Sequence, residues 1–439
     1  MNDITHLDGD LVARAGAPVP SQTDIVVVGA GIAGAAAAWE LARRGERVVL
    51  LEKGAIAGEQ SGRNLGFVRQ QLRDPLELPL MMASITRWER LPEELEADIG
   101  WVQGGNLALA RDESLLDAYR AWIDSSRPHG LASQLVDERQ VRELLPGIAG
   151  EWAGGLYTPS DGQADPVKTT TAFARAAQLA GAHVAAGCTV TGIRVRDGKV
   201  TGVDTDRGGI AASTVVCAAG IWTSRLLATA EIVLPQRVMR STLTRTGAVP
   251  RLTDAAVVSG DGTYFRQAPS GELLISDGKA TIDVSPDTFK HLRMFLPMYL
   301  ANRSRFQTHL GLEGFGPRVR KGMARYDLGE PAIDHTIVRQ SLDSIGRLFP
   351  ALRGLRAETA WSGRIEGTPD ALPVLDALDD PKGLIVATGQ SNHGFALGPV
   401  FGEVLADLVT RGDSEHDLTP FRLARFAEGA FGKPKSLIA

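Results

Sequence analysis

The sequence predicts an α/β protein in which a Rossmann-type domain interleaves with an α+β domain built on an antiparallel sheet. Three observations predict it. From Thr23 to Glu52 the chain reads as strand, glycine-spaced turn, helix, strand and acid, in that order. Residues 237–276 hold four short alternating strands, as in a sheet with one face turned to a cavity. Near the C-terminus a short apolar strand, a glycine-punctuated loop and a helix return to α/β character.

The elements follow in chain order. Ile25 to Val28 are four apolar residues, the pattern of a strand buried on both faces. Gly29, Gly31 and Gly34 then take the G-x-G-x-x-G spacing. The first allows the tight turn, the second lets backbone approach a pyrophosphate, and the third permits close helix packing. The start of that helix offers N–H groups and a positive dipole end to phosphate. A second strand, 47–51, delivers Glu52 twenty-three residues after Gly29, placed to accept hydrogen bonds from a ribose. Strand, glycines, helix, strand and acid together imply an adenine dinucleotide.

A loop rich in glycine and small polar residues, 53–64, comes next, and helices are expected at 78–91 and 113–125. Asp165 caps a helix over 167–180, with Pro166 at its first position. A strand at 183–185 precedes a hairpin, 189–195 and 199–205, turning at Asp197-Gly198. A buried strand at 213–218 ends in Ala218-Ala219-Gly220. The alternating strands are 237–246, 255–259, 263–267 and 272–276, followed by helices at 287–307 and 337–348. A strand at 384–387, a loop from Gly389 to Gly398 and a helix at 400–410 complete the pattern. No internal repeat is present, and neither domain is one contiguous piece.

At 439 residues the chain suits two or three domains, and 44% hydrophobic with 23% charged content is that of a globular protein with a sizeable core. A net charge of −5 without a basic stripe argues against nucleic acid. Cys188 and Cys217 have no metal-ligand spacing, so no metal site is expected, and they fit a reducing compartment as buried fillers. Residues 1–20 lack the basic start and apolar stretch of a signal peptide and read as an extension. No run reaches the roughly 18–20 apolar residues of a membrane span, so a cytoplasmic location is expected.

Five separated motifs resemble the D-amino-acid oxidase (DAO) superfamily of FAD-dependent amine and amino-acid oxidoreductases, from glycine and sarcosine oxidases to D-amino-acid dehydrogenase and γ-glutamylputrescine oxidase. They are the fingerprint, Ser61-Gly-Arg-Asn-Leu-Gly66, Asp161-Gly-Gln-Ala-Asp-Pro166, the strand ending Ala218-Ala219-Gly220-Ile221-Trp222, and Trp361–Pro373 joined to Gly389–Gly398. The resemblance covers nearly all of residues 24–409. It implies an FAD-binding domain of 21–75, 150–232 and 355–430, and a substrate domain of 76–149 and 233–354. Residues 431–439 form a tail.

What the resemblance implies about residues can be stated segment by segment. Around the fingerprint, Gly29, Gly31, Gly34, Glu52 and Lys53 are candidate FAD contacts. In the following loop, Ser61, Gly62, Arg63, Asn64 and Gly66 run along pyrophosphate and flavin, with Arg63 able to neutralise phosphate. Val190, Ala219, Gly220 and Trp222 surround the adenosine half. Gly389, Asn392, His393, Gly394 and Phe395 bring backbone N–H groups to the flavin edge. With no cysteine in the segment where covalent members carry theirs, noncovalent FAD is expected.

The implied reaction is dehydrogenation of a C–N bond, with hydride passing to flavin N5 and the imine hydrolysing afterwards. The implied partner is a small amine or amino acid, primary or N-substituted; the sequence leaves the oligomeric state unknown. A hydroxy-acid dehydrogenase on the same fold and a non-catalytic FAD-bearing subunit are the alternative readings. Arg69, Arg73, Tyr264, His393, Arg364 and Glu366 are the substrate-positioning candidates. Some members place an arginine four residues after the motif tryptophan, where this chain has Ile365 between Arg364 and Glu366. An inward Glu366 points to a cationic substrate group, and an inward Arg364 to a carboxylate. The strand position where sarcosine-oxidase-like members carry a lysine holds Leu274.

Overall fold

The computed structural model describes residues 18–310 and 328–433. Most of the expected extension and tail (1–17 and 434–439) therefore lies outside the described residues.

Four consecutive apolar residues cannot leave one face in water, so Ile25–Val28 sits at the centre of a six-stranded sheet, fully buried. Its neighbours are Val48–Leu51 on one side and Thr214–Cys217 on the other, both parallel. His183–Ala185 extends the first side. Leu384–Thr388 and then the antiparallel Val374–Ala377 extend the second. Each fully buried valine or leucine here contributes about 1.5–3 kcal/mol. The helices Ile32–Arg43, Pro166–Leu179 and Gly394–Thr410 share one apolar cluster with the alternate strand residues Ile25, Val27, Leu50 and Ile385. Asp165 caps the second of these helices by accepting from the Lys168 N–H at 2.9 Å. The Asp197-Gly198 hairpin also forms, with φ of +49° and +68° at its two turn residues, the primed-turn geometry that glycine and aspartate favour.

The second sheet has ten strands, centred on Arg237–Ala248. Glu272–Ser276, Tyr264–Gln267 and Ala256–Val258 follow it antiparallel, as the alternation predicts. Its remaining strands were not legible. Asn106–Ala110, Gly154–Thr158 and Gln134–Val136 continue it, and Ala357–Gly367 pairs along the far edge of Arg237–Ala248. Residues 154–158 and 357–367, counted above with the FAD-binding domain, thus hydrogen-bond into the substrate sheet. Ala-Glu-Thr-Ala-Trp-Ser-Gly-Arg carries no alternation; its strand form comes from a partner ten residues long.

Two helices differ from expectation. The run 287–307 becomes a helix only over Leu292–Ala301, and Phe306–His309 is a strand beside Ala280–Asp283. The Asn302 side chain donates to the Met298 carbonyl at 3.1 Å, competing with the backbone and ending the helix. The C-terminal helix begins at Gly394, six residues before 400. Gly398, expected in the loop, and Gly402 both serve contact: a Cβ on Gly402 would lie 2.8 Å from the Ala36 backbone, and one on Gly398 would strike Ile32. The two helices cross at their smallest residues.

Candidate active site

A cavity of about 470 Å³ runs between the two sheets, from Glu52 and Lys53 at one end to Arg69, Arg73 and Tyr264 at the other. At the first end Gly29 has φ +98°, and a Cβ there would lie 2.5 Å from the Ala218 carbonyl oxygen. Gly31 lines the cavity, and a Cβ on it would sit 2.9 Å from Ser61 Oγ. Gly34 does not line it; its missing Cβ makes room for the Gly29 carbonyl, so helix and strand pack directly. Ser61 Oγ accepts from the Ile32 N–H at 2.8 Å and braces the helix start. Glu52 accepts from the N–H groups of Ala30 (2.9 Å) and Gly54 (2.8 Å), while burial raises its carboxyl above the usual range. Lys53 Nζ stands 3.9 Å over the Trp222 ring, and Val190, Ala219, Gly220 and Trp222 complete this end. A side-chain-free cradle at a helix start, with a carboxylate one strand away, fits the pyrophosphate and ribose of FAD.

The loop after Glu52 is positioned by its own side chains. Asn64 donates to the carbonyls of Gln60 and Ser61 and accepts from the Gly66 N–H. Arg63 lines the cavity, yet its guanidinium forms a bidentate pair with Glu330 (2.6 and 2.9 Å) and also donates to the Gly58 and Ser362 carbonyls. These bonds tie the loop to Glu330 and to the Ser362 backbone. Gly62, Gly66 and Gly389 lie off the cavity: each admits a neighbour, Gly62 the Ala57 carbonyl, Gly66 the Ala164 carbonyl and the Arg266 guanidinium, Gly389 the Thr368 methyl.

His393 is also off the cavity. Its Nδ1 lies 3.0 Å from a carboxylate oxygen of fully buried Glu77, joining the start of the C-terminal helix to that of Leu78–Trp88. Burial, with Arg73 nearby, lowers its pKa. The histidine holds the loop, while Gln390, Asn392, Gly394 and Phe395 face the cavity.

At the far end Phe67, in the two-residue strand Phe67–Val68, and Arg69, just after it, both line the cavity. Arg69 and Arg73 are 4% and 6% exposed, and Arg69 Nη1 and Arg73 Nε are buried without a hydrogen-bond partner among the described residues. Burial lowers the pKa of both; the added charge of Arg69 brings Arg73 to about 9. Tyr264 is buried beside them, its ring 5.9 Å from the Arg69 guanidinium and its hydroxyl 3.4 Å from Arg305 Nη1. Asp161, the head of the third motif, is spent on the Gln70 and Gln71 N–H groups (3.0 and 3.2 Å) and fixes the turn between the two arginines.

Arg364 and Glu366 both line the cavity, but neither is free. Arg364 donates to the carbonyls of Leu328 and Gly329 at 2.9 and 2.8 Å. Glu366, 2% exposed, accepts from Thr388 Oγ1 (2.7 Å) and from the Gln236 amide. Both bonds fall on Oε2 and hold the carboxyl against Gln236 and Thr388. Sequence reasoning passed over Ser241 and Ser276, cavity-lining serines of the substrate sheet, because lone serines carry no pattern. Leu274 does not line the cavity; Ser276, two residues on, does.

A family model described as FAD dependent oxidoreductase (DAO) matches residues 24–408. Glycine oxidase of Geobacillus kaustophilus is 30% identical over 92% of this chain and 97% of its own length. Human mitochondrial sarcosine dehydrogenase is 26% identical over 95% of this chain, which spans 43% of that longer protein. Among solved structures, L-amino acid deaminase from Proteus myxofaciens in complex with anthranilate superposes with a TM-score of 0.88 at 26% identity, over 95% of this chain and 96% of that one.

Proposed function

Because this chain belongs to the DAO family of FAD-dependent oxidoreductases, we propose that it oxidises the C–N bond of an amino acid whose carboxylate is held by Arg69 and Arg73. The observation that carries this is the pair of buried guanidinium groups whose Arg69 Nη1 and Arg73 Nε atoms have no acceptor among the described residues. Two adjacent buried cations are costly unless an anion joins them, and a planar carboxylate matches a guanidinium fork in geometry and charge. The relatives support the class: a glycine oxidase, a sarcosine dehydrogenase and an L-amino acid deaminase share the fold.

FAD, when bound, accepts the hydride equivalent released from the carbon next to nitrogen. The chain's own residues then have three tasks. Arg69 and Arg73 fix the carboxylate, which sets where the α-carbon lies. Tyr264 and Phe67 wall the same end and exclude water. Among the described residues, the carboxylates and imidazole nearest this end, Asp161, Glu366, Glu77 and His393, are all engaged. The amine therefore enters already neutral, and catalysis is positioning. Noncovalent FAD fits the cysteines: Cys217 is fully buried with its thiol pushed up to about 12, and burial raises Cys188 too.

The test is anaerobic mixing of the yellow protein with panels of amino acids of both hands, amines and hydroxy acids. Bleaching of the flavin by amino acids alone is expected. Arg73→Met should raise KM by at least ~30-fold, the cost of about 2 kcal/mol or more for a lost buried ionic contact. Bleaching by simple amines that is untouched in Arg69→Met and Arg73→Met proteins would overturn the carboxylate assignment.

A further inference from the structure

The helix Leu292–Ala301 and the turn before it present an unusual surface. Among the described residues, five of the nine strongly exposed large apolar side chains lie between 289 and 310. Four of them form one stripe: Phe289 (63% exposed), Leu292 (43%), Leu296 (47%) and Leu300 (65%). Leu292, Leu296 and Leu300 recur every four residues on one side of the helix, and exposed Phe289 lies in the turn just before it. The opposite side is anchored, with Phe295 and Met298 buried against Ala371 and the Arg237 guanidinium 4.8 Å over the Phe295 ring. The stripe is thus held outward by a packed inner face.

Charge gives the stripe a direction. Residues 288–310 contain Lys290, Arg293, Arg303 and Arg305 and no aspartate or glutamate, with Asp287 just before them, in a chain of net −5, and Arg305 turns inward to the Tyr264 hydroxyl. Lys290, Arg293 and Arg303 are exposed and flank the apolar row. We propose that this helix is a docking surface for an anionic lipid bilayer: Leu292, Leu296, Leu300 and Phe289 enter the headgroup–acyl boundary, and the basic residues meet the lipid phosphates.

The physics favours this occupant over a second copy. A twofold dimer buries the same patch from each subunit, so it would press three exposed cations against three. An anionic surface instead gains from every one of them, about fivefold in binding per basic residue near the surface. The long side chains of lysine and arginine can lie beside the leucines while their charges reach phosphate. At ten residues the helix is too short to cross the membrane, so it lies in the interface plane.

The test is sedimentation of the FAD-loaded full chain with vesicles of phosphatidylcholine alone or mixed with phosphatidylglycerol. The expected result is pelleting with the mixed vesicles only, weakened at least about tenfold by raising the salt. Arg293→Gln with Arg303→Gln should weaken it about 25-fold, and Leu296→Asp with Leu300→Asp should abolish it. Because these four side chains point outward, both variants should keep wild-type circular dichroism and flavin content. No pelleting with anionic vesicles, equal binding to neutral ones, or a wild-type dimer that Leu296→Asp with Leu300→Asp dissolves would each overturn the proposal.

Discussion

Two carboxyl groups beneath the cavity carry protons into the native state. Burial pushes Asp161 and Glu366 up to about 7, against the backbone and side-chain donors that pull each down. The folded protein therefore holds protons near pH 6 that the unfolded chain, with ordinary carboxyls, has released. The sign follows from linkage: the stabilisation is complete below the unfolded values near 4 and is lost as pH rises through about 7. Glu366→Gln removes one such group. Its thermal midpoint relative to wild type should therefore improve steadily between about pH 5 and pH 8 in cofactor-free protein. A difference that stays constant across that range would show that Glu366 is ionised throughout.

At the scale of the element, the glycines of the fingerprint divide into two kinds. Gly34, like Gly402 in the C-terminal helix, lets backbones touch, while Gly31 leaves a space that belongs to the cavity. The two kinds predict different losses. Gly31→Val should purify folded with its flavin largely gone, because Gly31 has φ −76° and the new side chain meets only Ser61 before it enters the cradle. Gly34→Ala should lower the thermal midpoint instead, since its Cβ strikes the Gly29 carbonyl, which cannot move without the strand. Normal flavin content in Gly31→Val, measured by absorbance per folded protein, would refute the cradle assignment. The same logic explains the C-terminal helix: Gly398 and Gly402 break a helix by propensity yet here sit inside one, because contact with Ile32–Arg43 outweighs about 1 kcal/mol of propensity per glycine.

At the scale of the molecule, the cavity is a seam between two sheets, and everything that closes it crosses from one to the other. Arg63 and Arg364 both reach residues 328–330, and Gln236, next to the substrate sheet, reaches Glu366, Thr388 and Gly220. Cofactor bound in such a seam stabilises both halves without a covalent link. Acid precipitation should accordingly release all flavin to the supernatant. Flavin that stays with the protein through a denaturing gel would overturn the noncovalent reading.

The sequence by itself determined the dinucleotide half. Ile25–Val28, the three glycines and Glu52 are local signals, readable because strand burial, turn conformation and helix start are each set by a few neighbouring residues. Asp165 before Pro166 and Asp197-Gly198 are legible for the same reason. The tertiary structure alone decided how charges are spent. Arg63, Glu366 and His393 have the residue types of a site, but partners 267, 130 and 316 residues away consume them. Arg69 and Arg73, which the sequence offers only as candidates beside other arginines, line the cavity with Arg69 Nη1 and Arg73 Nε buried and unpaired among the described residues. Ala357–Gly367 is a strand only because Arg237–Ala248 offers it an edge. Propensity and spacing act over a few residues, whereas desolvation and pairing depend on which distant segments meet, and no local pattern encodes that.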